Sequence, residues 1–235
     1  MTPAALLAAL ALASDPMAFV VVAPGYPGTT AEAQPSMDAF AIALAAQAGW
    51  PPGSVTGAYY ESEKPGAERL AQPDAALAMV TLPFFLQEAD RLKLEPRLAA
   101  ARKGGEAQEV WSLVAKKGRV RGPASLEGWK VASLAGYAPL FVRRAALAGW
   151  GRIPETTEVV ATGQVLSWLR RAAAGEDVAL LLDATQAAAL PGLPFAADLE
   201  VVARSAPLPG GIVAVVAKRL PPQRWKPIEK ALLTL

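Results

Sequence analysis

The chain has 235 residues, 53% hydrophobic and 19% charged, with 23 Lys and Arg against 21 Asp and Glu for a net charge of +2. That length and apolar content supply a buried core for one large or two small domains and exclude a disordered chain. The sequence has no cysteine and no histidine, which excludes disulfides, thiolate metal sites, thiol nucleophiles, serine–histidine triads and the common zinc sites.

Residues Met1 to Ala13 are almost wholly Ala and Leu, and Ala11-Leu12-Ala13 ahead of Ser14 fits a small-x-small cleavage site. Residues 1–13 are therefore expected to be a signal peptide, with a buried or amphipathic first helix as the alternative. No other segment is long and apolar enough to span a bilayer. An exported, periplasmic protein is expected.

Met17 to Ala23 is a continuous β-branched run and predicts a strand buried on both faces. A Pro/Gly turn follows (Pro24 to Gly28). Ser36 is a candidate N-cap for a helix carrying Met37, Phe40, Ala41, Leu44 and Ala48 on one side and stopping at Gly49. Thr56 to Glu61 predicts a strand, Pro65 to Ala71 a short helix, and Asp74 to Val80 a third strand. Arg91 to Lys103 reads as loose helix or loop. Glu109 to Lys116 predicts a further strand.

The Gly-rich, charged stretch from Gly118 to Gly128 has the character of a boundary, and the order then restarts. Strands are predicted at Trp129 to Leu134, Thr157 to Ala161, Asp177 to Leu182, Leu199 to Arg204 and Gly211 to Lys218. Helices are predicted at Leu140 to Ala148, Gln164 to Ala174 and Gln223 to Leu233. An internal echo, "RLAQPDAALAMV" against "RAAAGEDVALLLD", supports two halves of similar plan. Alternating βαβ units imply an α/β fold of two lobes, each a mostly parallel sheet flanked by helices. Ligands of such sheets sit outside the carboxyl ends of the strands, so the natural site is a cleft between the lobes.

Four stretches carry a resemblance: "DAALAMVTLPFF", "EVWSLVAKKGRVRGPASLEGWKVASLAGYAP", "ATGQVLSWLRRAAAGEDVALLLDATQ" and "SAPLPGGIVAVVAKRLPP". In this order they resemble the periplasmic solute-binding proteins of ABC transporters, of the phosphonate, phosphite and phosphate-like group (type II). The resemblance implies two hinge strands joining lobe one (19–113 plus 206–235) to lobe two (114–205). It implies hinge closure on a ligand, delivery to membrane transporter components, a monomer, and no catalysis.

Seven residues are expected at the ligand: Tyr26, Thr81, Phe84, Ser133, Tyr137, Asp183 and Thr185. Tyr26 lies in "PGYPGTT", which lacks the Gly-Lys-Ser/Thr ending of a phosphate loop. Thr81 and Phe84 follow the third strand, with Phe84 and Phe85 as core fillers in the alternative. Ser133 to Tyr137 ("SLAGY") corresponds to a loop that in the phosphonate-binding group resembles a run of hydroxyls at a helix N-terminus. Here most of those hydroxyls are replaced, and Tyr137 with Phe141 points to an apolar or lipid-like ligand. Asp183 and Thr185 follow the "DVALLL" strand, where Asp183 either meets the ligand or caps the next helix.

Glu61 with Glu63 offers a carboxylate pair, more simply read as a charged loop. Lys116 to Arg119 reads as a solvated hinge loop or a partner contact. No cofactor, metal or nucleic acid is expected. The alternatives are a histidine- and cysteine-independent enzyme on the same fold, or a ligand-free sensor or scaffold whose cleft is filled by its own side chains.

Overall fold

A computed structural model describes residues 16–101 and 107–235. The expected signal segment lies outside them. Strand β1 (Met17–Val22) is buried along its whole length. Its side chains alternate between two apolar clusters: Met17, Phe19 and Val21 enter one, and Ala18, Val20 and Val22 enter the other. A strand covered on both faces needs a continuous apolar run of this kind. The elements that follow are α1 (Thr30–Gln47), β2 (Val55–Tyr60), α2 (Glu63–Ala71), β3 (Ala75–Thr81), α3 (Leu82–Leu92) and β4 (Leu94–Ala100).

The chain then crosses through β5 (Gln108–Glu109) into β6 (Ser112–Lys116), β7 (Lys130–Ser133), α4 (Pro139–Phe141), β8 (Glu158–Ala161), α5 (Val165–Ala174), β9 (Val178–Leu182), α6 (Ala184–Ala189) and β10 (Leu199–Arg204). It returns through β11 (Leu208–Pro209) to β12 (Gly211–Val216) and α7 (Pro222–Leu232). One sheet has the order β2-β1-β3-β12-β4 and the other β10-β6-β9-β7-β8. In each, four strands run in one direction and one runs against them: β12, between β3 and β4, in the first, and β6, between β9 and β10, in the second. The two-stranded ribbon of β5 and β11 links them. The molecule is thus α/β and two-lobed, with mixed rather than purely parallel sheets.

Helix α1 begins earlier than Ser36. Thr29 is its N-cap and closes a capping box with Glu32, so Pro35 lies inside the helix. Pro35 reads as a helix boundary in sequence, but the capping box, together with Glu61 accepting from the Thr30 amide at 3.0 Å, fixes the first turn ahead of it. The segment read as loose helix or loop from Arg91 is largely β4, an edge strand. Its Pro96 is tolerated because an edge strand can spare one donor. The stretch from Gly118 to Gly128 lies inside lobe two, with Val120 and Leu126 buried. The helix after Pro139 is one turn that runs on as a π-helical turn over Val142–Ala146.

Three cationic side chains hold two helix ends. Lys116 Nζ donates to the Ala173 carbonyl at 2.9 Å and Arg119 to the Gly175 carbonyl at 2.5 Å, which ties the Lys116–Arg119 run to the C-terminus of α5. Arg119 also pairs with Asp177 at 2.7 Å. Arg219 donates to the carbonyls of Leu70, Ala71, Gln72 and Ala75 and so closes the end of α2. Cations satisfy the last carbonyls of a helix and complement its dipole. Among the described residues no helix is long and apolar enough to cross a membrane.

Candidate functional site

β1 and β3 are adjacent parallel strands that end at the same level. Beyond β1 the chain turns at Gly25 (φ 81°), and the Tyr26 amide donates to the Ala23 carbonyl at 3.2 Å. Beyond β3, Thr81 accepts from the Phe84 amide at 3.4 Å and starts α3 at once. These two ends, the β5–β11 ribbon and the first residue of α6 enclose a cavity of about 400 Å³. Val21, Val22, Met79, Val80 and Ala100 make its apolar wall, and Tyr26, Thr81, Gln108 and Glu109 its polar side chains. Lobe two contributes Ala184. Among the described residues lining the cavity none is cationic.

Of the seven expected contact residues, the structure brings Tyr26 and Thr81 to this cavity. Tyr137 lies beside it, in a narrow crevice too tight for water that shares Tyr26, Thr81, Glu109 and Gly210 with the cavity. Its hydroxyl is 3.0 Å from Thr81 Oγ1. Burial pushes the Tyr137 hydroxyl well above the usual tyrosine range and the Glu63 carboxylate adds to the rise; the Thr81 bond and the Phe84 backbone oppose it. Thr185 is exposed on α6, next to the lining residue Ala184.

Three expected contacts are turned away from the cavity. Phe84 is fully buried (0% exposed), because α3 starts directly after β3 and carries Leu82, Pro83 and Phe84 into the core. Ser133 is 1% exposed; its hydroxyl donates to the Leu181 carbonyl at 2.8 Å and accepts from the Ala135 amide at 3.1 Å. It braces β7 against β9 and caps its own loop. Asp183, also 1% exposed, accepts from the Gln186 amide at 2.8 Å, while Gln186 accepts from the Asp183 amide at 3.2 Å. That capping box accounts for its burial. Glu61 is tied to Thr30 rather than set against Glu63, with the Thr30 hydroxyl donating to it at 2.7 Å.

The sequence reading missed Gln108 and Glu109. Glu109 opens the strand predicted from Glu109 to Lys116 and Gln108 precedes it; the structure breaks that strand into β5 and β6 at Val110-Trp111. The signal available in the sequence was a charged residue followed by the apolar Val110 and Trp111. Among the described residues no cluster of three acidic or other metal-ligating side chains occurs.

No family model matches the chain, and no curated protein matches it. Solved structures do. XAC2383 from Xanthomonas citri bound to chloride ion superposes with a TM-score of 0.67 at 15% identity, covering 94% of this chain and 84% of that one. The same protein bound to ATP gives 0.66 at 13% identity, covering 94% and 83%. A binding protein component of an ABC phosphonate transporter from Pseudomonas aeruginosa gives 0.54 at 12% identity, covering 92% and 73%. The GluR0 ligand-binding core from Nostoc punctiforme, in complex with L-glutamate, gives 0.54 at 15% identity, covering 94% and 92%. Two mixed sheets of one plan, joined by a paired ribbon and enclosing a cavity at their strand ends, are the fold of the two-lobed periplasmic binding proteins.

Proposed function

We propose that this chain is an exported solute-binding protein that holds a small, largely apolar or amphipathic ligand between its lobes and passes it to a membrane transporter. The observation that carries this reading is the cavity of about 400 Å³ at the carboxyl ends of β1 and β3, walled by aliphatic side chains and edged by a few polar ones. Concave, mostly apolar pockets with few convergent polar groups are the usual form of small-molecule sites. Tyr26, Thr81, Gln108 and Glu109 would orient the ligand, and Ala184 and Thr185 would approach it from lobe two.

A phosphonate is a poorer fit. Tetrahedral oxyanions are held by several charge-assisted donors. The described lining supplies none, and it includes a carboxylate at Glu109. The Ser133 hydroxyl, which a phosphonate would recruit, is spent on the Leu181 carbonyl.

Native mass spectrometry of the exported protein, purified without denaturation, tests the reading. A co-purifying amphiphile supports it; a small hydrophilic phosphonate or phosphate without an apolar chain overturns the ligand class. Ala184→Trp provides the matching variant. Ala184 is exposed on the lobe-two side, so an indole there fills the cavity and should abolish co-purification, with stability within about 0.5 kcal/mol of the parent. Ligand retained at full stoichiometry by this variant would place the site elsewhere.

A further inference from the structure

We infer that the lobes of this chain carry their own latch: the Tyr137 hydroxyl of lobe two, docked on Thr81 at the start of α3 in lobe one, holds the molecule closed without a ligand bridging the gap. This goes beyond ligand capture, because closure in a binding protein is ordinarily completed by a ligand touching both lobes.

Three observations converge. The Tyr137 hydroxyl is 3.0 Å from Thr81 Oγ1, a direct bond between residues 56 apart in sequence and on opposite lobes. It closes a crevice too narrow for water, so the bond is shielded from competition by solvent. Around it the lobes touch directly at several points. Gly25 of lobe one lies so close to Leu134 of lobe two that a Cβ there would stand 3.2 Å from a Leu134 methyl. α3 packs on α4 across the same seam. One apolar cluster runs through both lobes and includes Phe84, Trp111 and Phe141, with the last two rings edge to face at 5.1 Å. The large cavity lies beside this seam rather than within it, so a ligand can occupy the site while the latch stays made.

The bond is neutral and partly buried, so its removal should shift the closed-to-open ratio roughly three- to tenfold. The chain has no cysteine, which permits clean paired spin labelling. Ala46→Cys on α1 and Arg170→Cys on α5 place one label on each lobe, both at exposed positions. Double electron–electron resonance on protein stripped of small molecules by unfolding and refolding should give one narrow distance for the parent. Tyr137→Phe, which keeps the ring and removes only the hydroxyl, should transfer population to a second, displaced distance. Thr81→Ser, which keeps the hydroxyl, should preserve the parent distribution. A Tyr137→Phe distribution identical to the parent, or a parent that already shows two populations in the stripped state, overturns the latch. The experiment uses no ligand, so its failure leaves the proposed function untouched.

Discussion

Gly136 shows how a single residue can be fixed by its neighbour rather than by its own backbone angles. It sits in the turn after β7, and a Cβ added there would collide with the Val160 carbonyl of β8. Backbone cannot retreat as a flexible side chain can. Gly136→Ala should therefore destabilise the protein by about 1–3 kcal/mol, read as a lower urea midpoint with an unchanged slope. Tyr137, the next residue, makes a second claim. Its folded-state proton is held more tightly than the unfolded chain holds it, so above a pH of about 10 the unfolded state releases the proton first. Stability should fall with rising pH there, by about 1.4 kcal/mol per pH unit until the folded hydroxyl itself ionises. The parent should lose stability relative to Tyr137→Phe across that range in pH-dependent melting; parallel curves would show that the hydroxyl is not sequestered. At this scale the sequence was read well where topology decides and poorly where hydrogen bonding does. Tyr26 and Thr81 were placed by the rule of strand ends. Ser133 looks from the sequence like a free donor, and only coordinates reveal that the Leu181 carbonyl has taken it, whereas the cap at Asp183 is one of the two roles its position before a helix suggests.

Among the elements, α1 is the most informative. Its first turn is held by Thr29 with Glu32 and by Glu61 reaching from the end of β2 to Thr30. Both carboxyls are held below the usual range: Glu61 first by the Thr30 hydroxyl, Glu32 first by the Thr29 backbone. Their contribution to stability is complete above the ordinary carboxylate pKa and is lost as the pH falls through the lower folded value. Glu61→Gln should be less stable than the parent at pH 7, and the two should converge as acid protonates the folded carboxylate in urea titrations. A gap of constant size would assign the effect to shape rather than charge. The same helix explains a misread boundary. Thr29-x-x-Glu32 spells a capping box, yet Pro35 and Ser36 spell a start of their own, and pattern alone cannot choose between them. The cross-connection to Glu61, 31 residues away from Thr30, decides it. β4 was missed for another reason. An edge strand with one wet face and a proline has no apolar run to announce it, and what makes it a strand is the partner β12, more than a hundred residues later. The other long strands were legible, β1, β3 and β9 because their burial writes itself into composition.

The whole molecule repeats one plan twice, and that repetition was visible in the sequence because each half reruns the same alternation of apolar strand and capped helix. What could not be seen is how tightly the halves meet. The seam depends on Gly25 lacking a side chain, on Leu134 filling that space and on Phe141 standing against Trp111, contacts between residues far apart in the chain with no shared pattern. The crossing between lobes has its own consequence. β5 pairs with β11, and just beyond them Ser112 pairs with Arg204, so the chain leaves and re-enters lobe one through a single narrow neck. Lobe two is therefore one uninterrupted length of chain inserted into lobe one, with its two ends side by side. In terms of gene architecture it is a cassette: one contiguous coding segment nested within another, outside which β1 to β4, β12 and α7 keep every strand of the first sheet.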